Sequence, residues 1–145
     1  YSDMGISISP EMVEGLSLGY AEGEYEETAG SNIDVETVWV KYAYGPVTVS
    51  YQESEENAST RANSNDSEEY GISYAVTDDF SISYGKHEYT DNLSTSDNVQ
   101  ESTGFSASYT MAGTTIAASF NETDNVDSTA ATDSEGFEVA VSFAF

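Results

Sequence analysis

Cysteine is absent from this 145-residue sequence, and lysine and arginine together number only three. Without thiols there is neither a disulfide framework nor a thiolate metal site. So few cations give no basic footprint for a polyphosphate, which excludes nucleic acid as a partner. No run of about 18 apolar residues occurs, so a transmembrane helix is excluded. A transmembrane strand leaves only weak alternation and is not excluded. Against these scarcities stand 27 Asp and Glu residues and a formal net charge of −24. Such a balance ordinarily marks disorder, but 11 Tyr and 6 Phe in regularly spaced runs do not belong to a solvated polyelectrolyte. The chain starts at Tyr1, without methionine or signal peptide, and is expected to be a processed product or a fragment.

Period two dominates, and no dozen-residue segment carries apolar positions at helical spacing, so the chain reads as all β. Apolar or aromatic residues alternate with small polar ones in nine segments. These are Met4/Ile6/Ile8, Leu16/Leu18/Tyr20, Val38/Val40/Tyr42/Tyr44, Val47/Val49/Tyr51, Tyr70/Ile72/Tyr74/Val76, Phe80/Ile82/Tyr84, Phe105/Ala107/Tyr109/Met111, Ile116/Ala118/Phe120 and Phe137/Val139/Val141/Phe143/Phe145. Tight turns fix hairpin register. A turn at Gly45 and Pro46 sets Tyr44 opposite Val47 and Val40 opposite Tyr51; one at Ala112 and Gly113 sets Tyr109 opposite Ile116 and Phe105 opposite Phe120. Around Thr77 to Asp79, Tyr74 meets Ile82, and around Pro10 to Glu14, Ile6 is expected opposite Leu18. The repeat is a hairpin of roughly 30 to 35 residues. The other strand ends are joined by polar stretches such as AEGEYEETAGSNID and ESEENASTRANSNDSEE, read as long acidic loops. Of the acids only Glu11, Glu14, Asp78 and Asp79 sit in the short turns.

In a soluble sandwich the outward face carries charge along the whole strand. Here the second face is Ser, Gly, Thr and Ala through mid-strand, the wall expected of a water-filled lumen, and Tyr, Phe and Met cap the apolar rows as interfacial girdles would. The expected architecture is an antiparallel transmembrane β-barrel of about nine visible strands. The alternative is a soluble or surface acidic β-protein, such as a calcium-dependent adhesin or a phage or partner receptor.

The tail GFEVAVSFAF, with Phe137, Val139, Val141, Phe143 and Phe145 in phase, resembles the terminal strand of Gram-negative outer-membrane proteins, which the barrel assembly machinery reads. With the serine-rich hairpins, short turns and acidic loops, the whole pattern is similar to a general diffusion porin, alphaproteobacterial or marine in flavour. The resemblance implies an ion and solute channel in the bacterial outer membrane, sixteen strands and a homotrimer, among lipid and lipopolysaccharide. Single-chain bacterial barrels have even strand number, so residues 1–145 read as the C-terminal portion of one barrel domain. The N-terminal strands and the family's constriction loop lie outside it.

Candidate pore-lining residues follow from the inward rows: Ser17, Trp39, Lys41, Ser50, Gln52, Glu69, Ser73, Ser83, His87, Ser106, Ser108, Asn121 and Glu138. Lys41 is the best charged group for the wall. Trp39 packs there against an inward loop, or a register error or bulge returns it to the girdle. His87, the only histidine, is expected opposite Glu69, Gly71 opposite Gly85, and Lys86 at the outer membrane edge, either snorkelling to lipid phosphates or simply solvated. No acid, base and nucleophile converge, so no catalytic residue and no enzyme is expected. The acidic stretches fail the spacing of a calcium loop. No metal site and no cofactor is expected, only weak, collective screening by divalent cations. Asn-x-Ser/Thr triplets at Asn57, Asn65, Asn92 and Asn121 arise by composition. The expected function is passive diffusion of small hydrophilic solutes, with a preference for cations. Glu53 falls in phase with Val47, Val49 and Tyr51, so several apolar rows span about 15 Å, short of the usual band of about 25 Å.

Overall fold

A computed structural model describes residues 2–28, 31–58, 64–92 and 97–143. Nine strands follow in chain order: β1 (Ser2–Ile8), β2 (Leu16–Thr28), β3 (Ser31–Tyr44), β4 (Val47–Ala58), β5 (Asn65–Ala75), β6 (Phe80–Asn92), β7 (Asp97–Met111), β8 (Thr114–Asp124) and β9 (Ser134–Phe143). They form one sheet in sequence order, every neighbouring pair antiparallel. Among the described residues no helix is long and apolar enough to cross a membrane. The sheet is not closed, since β1 and β9 each have one partner.

The turns set the register as their residues require. Gly45 takes φ +55 at the first central position of a two-residue turn, and Ala112 and Gly113 take φ +49 and +80, the positive values hairpin turns need. Tyr44 then meets Val47, Tyr109 meets Ile116 and Tyr74 meets Ile82. The first hairpin differs from expectation: Leu18 meets Ile8, and Ile6 meets Tyr20. Its turn is longer, closed by Val13 N–H to Pro10 O at 3.1 Å and Leu16 N–H to Val13 O at 3.2 Å. Gly15, with φ +83 and Ala43 O only 2.0 Å from where a Cβ would stand, allows no side chain. The slip is two residues, so every side chain keeps its face.

The sheet is a single layer. Ile33, 4% exposed, is the one buried hydrophobic among the described residues, whereas Ile6 is 64%, Phe137 70% and Val141 52% exposed. A folded monomer of 15.6 kDa has about 7,200 Å² of accessible surface; this one has 9766 Å². A single layer leaves both faces uncovered, and the apolar one, with Ile6, Phe137 and Val141 exposed, is a surface that water would not tolerate and hydrocarbon would.

The acidic stretches are mostly strand and not long loops, apart from residues 125–133 between β8 and β9. β2 runs to Thr28 and β3 begins at Ser31, β6 runs to Asn92 and β7 begins at Asp97, so most of the carboxylates stand on strands. Their phase is that of the apolar row: Leu16, Leu18 and Tyr20 continue into Glu22, Glu24 and Glu26, and Val47, Val49 and Tyr51 into Glu53 and Glu55. Strands β2 to β9 run 10 to 15 residues. Because 9 to 11 tilted residues cross a bilayer, the longer strands exceed that span. Along β3 the alternation inverts, since Val35 and the buried Ile33 share the face of Lys41 and Trp39 while Asp34 and Glu36 share that of Val38 and Val40. Past Asp124 the chain turns through Val126–Ser128 and folds back onto β7. Asn125 Nδ2 donates to Val99 O at 3.0 Å and Asp127 N–H to Gln100 Oε1 at 2.8 Å.

Candidate functional site

Register places every candidate wall residue on one face of the sheet, opposite the apolar rows, and groups them by height. One rung runs Gly19, Trp39, Gln52, Glu69, His87, Ser102 across β2 to β7. The rung below runs Ser17, Lys41, Ser50, Gly71, Gly85, Gly104, Asn121. The next holds Ser73, Ser83, Ser106, Ser119 and Glu138, with Ser108 opposite Ser81 beneath. Trp39, Gln52, Glu69 and His87 thus share one height, above a rung that is glycine and serine between Lys41 and Asn121.

Trp39 is on the polar face and not in the girdle. Its indole lies over Gly19, where an added Cβ would stand 2.0 Å from Nε1 and 2.2 Å from Cε2. The hydroxyls pair across strands: Ser83 Oγ with Ser106 Oγ at 2.7 Å, Ser81 with Ser108 at 2.9 Å, Thr110 with Thr115 at 2.8 Å and Thr37 with Ser54 at 2.9 Å. Such pairs stabilise a sheet modestly while leaving a hydroxyl surface. Glu69, His87 and Ser102 lie side by side, but Ser102 Oγ is 3.0 Å from Thr123 Oγ1. No hydrogen bond joins Glu69, His87 and Ser102 among the described residues, so no nucleophile relay is assembled. No group of three or more His, Asp or Glu there is placed to hold a metal ion.

The other face carries what the loop reading missed, a carboxylate belt above the apolar rows. Glu22 stands opposite Glu36, Glu53 opposite Glu68, Glu88 opposite Glu101 and Glu122 opposite Glu135, an arrangement that like-charge repulsion disfavours. Donors relieve it in part. The Tyr20 hydroxyl shares its proton between Glu22 Oε2 at 2.8 Å and Glu36 Oε1 at 3.0 Å, and Tyr51 donates to Glu53 at 3.1 Å and Tyr70 to Glu68. Lys86 is not free for lipid phosphate, because its Nζ lies 3.0 Å from Glu88 and 2.8 Å from Glu101. The one trace of the belt in the sequence is acids at period two, in phase with the apolar residues, and the poor strand propensity of Glu and Asp masks it.

Phe137, Val139, Val141 and Phe143 occupy the apolar face of β9, paired with Phe120, Ala118, Ile116 and Thr114. Phe145 and Arg61 lie outside the described residues.

No family model matches the sequence, and no curated protein matches it. Solved structures do match. An outer-membrane expressed OmpT of Vibrio cholerae aligns with TM-score 0.70 and 13% identity over 96% of this chain and 54% of that one. A refined porin aligns with TM-score 0.72 and 15% identity over 96% and 50%. An in-vitro folded OmpT, described as an outer membrane protein of Vibrio cholerae, gives 0.65 and 12% over 96% and 53%. The nine strands therefore have the fold of an outer-membrane porin-like β-barrel, and the chain spans about half the length of these structures.

Proposed function

We propose that this chain is part of an outer-membrane porin, a water-filled channel for passive diffusion of small hydrophilic solutes and ions, with a preference for cations and no catalysis. The observation that carries the proposal is the division of the two faces. One is unbroken apolar surface at mid-strand, and the other is hydroxyl, glycine and a few unpartnered polar groups at the same height. A wall of this kind hydrates solutes without converging on a bond to be broken. β1 and β9 run in the same sense, so they cannot pair antiparallel with each other. An odd number of further strands closes the barrel, seven of them if it has sixteen in all. The short turns then lie on the periplasmic side and the carboxylate belt on the outside. In this reading the apolar face meets lipid and neighbouring protomers of a trimer, the belt stands at the lipopolysaccharide, and the β9 row is the assembly signal.

Liposome swelling tests the pore: proteoliposomes are expected to admit small sugars and amino acids and to exclude large oligosaccharides. Absence of flux from a folded, membrane-inserted protein removes the reading. It leaves the barrel as the support of an acidic receptor or adhesin surface.

A further inference from the structure

We infer that the polar face carries a specific solute site, a depression between β5 and β8 that takes a protonated amino sugar; the inference rests on the pore reading and names a solute class for it. The depression, about 410 Å³, is bounded by Glu69, His87, Ser83, Ser106 and Asn121. Its floor is Gly85 directly opposite Gly104, two residues without side chains between the His87–Ser102 pair above and the Ser83–Ser106 pair below. A Cβ at Gly85 would meet only Tyr70 O at 3.5 Å, so the glycine is not demanded by backbone crowding, and its effect is to leave the space open. Asn121 leans across the far end, with Oδ1 2.7 Å from where a Gly104 Cβ would stand.

The chemistry of the rim selects the solute. Adjacent strands lie about 4.8 Å apart and alternate residues about 6.7 Å apart, so the glycine floor is a flat patch of the dimensions of one pyranose ring. The Ser83–Ser106 hydroxyl pair, the Asn121 amide and His87 present donors and acceptors around it, which suits a polyol. Glu69 supplies the only carboxylate of the rim and is exposed. Neither it nor His87 has a hydrogen-bond or ion-pair partner among the described residues, so the carboxylate is available to an ammonium group. Lys86 also borders the depression, but its Nζ is held by Glu88 and Glu101 on the other face; among the described residues the cation of this face, Lys41, stands two strands from Glu69, about 10 Å away across the sheet, and does not neutralise it. A hexose carrying an ammonium group satisfies both parts, whereas a neutral hexose leaves the carboxylate without its cation.

The test is calorimetric titration of the full chain in detergent micelles at low salt, with glucosamine hydrochloride in neutral buffer, where the amine is still largely protonated and the imidazole opposite Glu69 carries less charge than in acid, and glucose as the neutral probe. Glucosamine is expected to bind saturably and glucose at least about ten-fold more weakly, the factor that loss of one charge-assisted hydrogen bond produces. Glu69→Gln should weaken glucosamine about ten-fold and leave glucose unchanged. Gly85→Val should abolish both by filling the floor, and Asp78→Asn, which removes a short-turn charge, should change neither. Equal binding of the two sugars, glucosamine binding insensitive to Glu69→Gln, or no glucosamine binding would each overturn the site. Swelling without glucosamine binding removes this site and keeps the pore, and binding without swelling does the reverse.

Discussion

At the scale of single residues, the most informative pair is Trp39 and Gly19. Parity alone assigned Trp39 to the polar row, but the sequence could not choose between that and a bulge, because a tryptophan suits an interfacial girdle equally well. The deciding partner is the directly opposite glycine, whose missing side chain leaves room for the indole. No composition rule marks Gly19 for this. Gly19→Ala is expected to lift the ring from its seat, because the new Cβ would stand 2.0 Å from Nε1. The overpacking should cost about 1–3 kcal/mol. Trp39 is the only tryptophan, so its emission reports the displacement directly, as a red shift with greater quenching by acrylamide. Emission identical to that of the parent would mean the indole does not rest there. The slipped first hairpin has a similar origin, since its register depends on two consecutive reverse turns, the second of which holds Gly15, rather than on the apolar alternation.

At the scale of the strands, what was legible was whatever period two encodes: nine elements, their faces and three of four hairpin registers. Their outer ends were not legible. Glu, Asp and Asn are poor strand formers, and ESEENASTRANSNDSEE reads as loop until its neighbours are considered. Once Val47–Tyr51 and Tyr70–Tyr74 are paired, the ladder continues through Glu53 opposite Glu68 and Glu55 opposite Asp66 because each added residue only extends an existing register. Glu53, which looked like a fault in an apolar row, is the first member of the belt. Two predictions belong here. Ile82→Lys, in the middle of an apolar row, should destabilise the membrane-inserted protein by about 2–4 kcal/mol, while Ser83→Lys, one residue on and on the other face, should cost far less. Denaturant titration in lipid vesicles compares them, and equal costs would mean that the faces do not differ in environment. Lys86 is the one described cation of the belt, held between Glu88 and Glu101 with Glu68 opposite Glu88. Lys86→Met should lower the melting temperature in dilute salt and much less at molar salt, because mobile ions then screen the carboxylates it leaves. A loss independent of salt would assign Lys86 a packing role.

At the scale of the whole molecule, the two faces carry different charges, and in the proposed pore their separation would decide what a permeating ion feels. Most acids point away from the polar face, among them Glu22, Glu36, Glu53 and Glu101. That face itself holds Asp3, Glu56, Glu69, Asp91 and Glu138 against Lys41. The balance on that face is negative without the belt among the described residues, so the proposed cation preference would rest on the wall rather than on carboxylates above it. The belt lies on the far side of a sheet about 10 Å thick, beyond a Debye length of about 8 Å at physiological ionic strength but well within one of about 30 Å at 0.01 M. Its field should therefore reach the lumen in dilute salt only. A zero-current potential across a bilayer with a tenfold KCl gradient is expected to have the cation-selective sign. Glu69→Gln combined with Glu138→Gln should reduce it at dilute and physiological salt alike. Glu22→Gln combined with Glu36→Gln should reduce it in dilute salt and leave it nearly unchanged at physiological salt. An anion-selective sign would refute the charge argument outright, and a belt variant as effective as the wall variant at physiological salt would show that the belt carboxylates reach the conduction path.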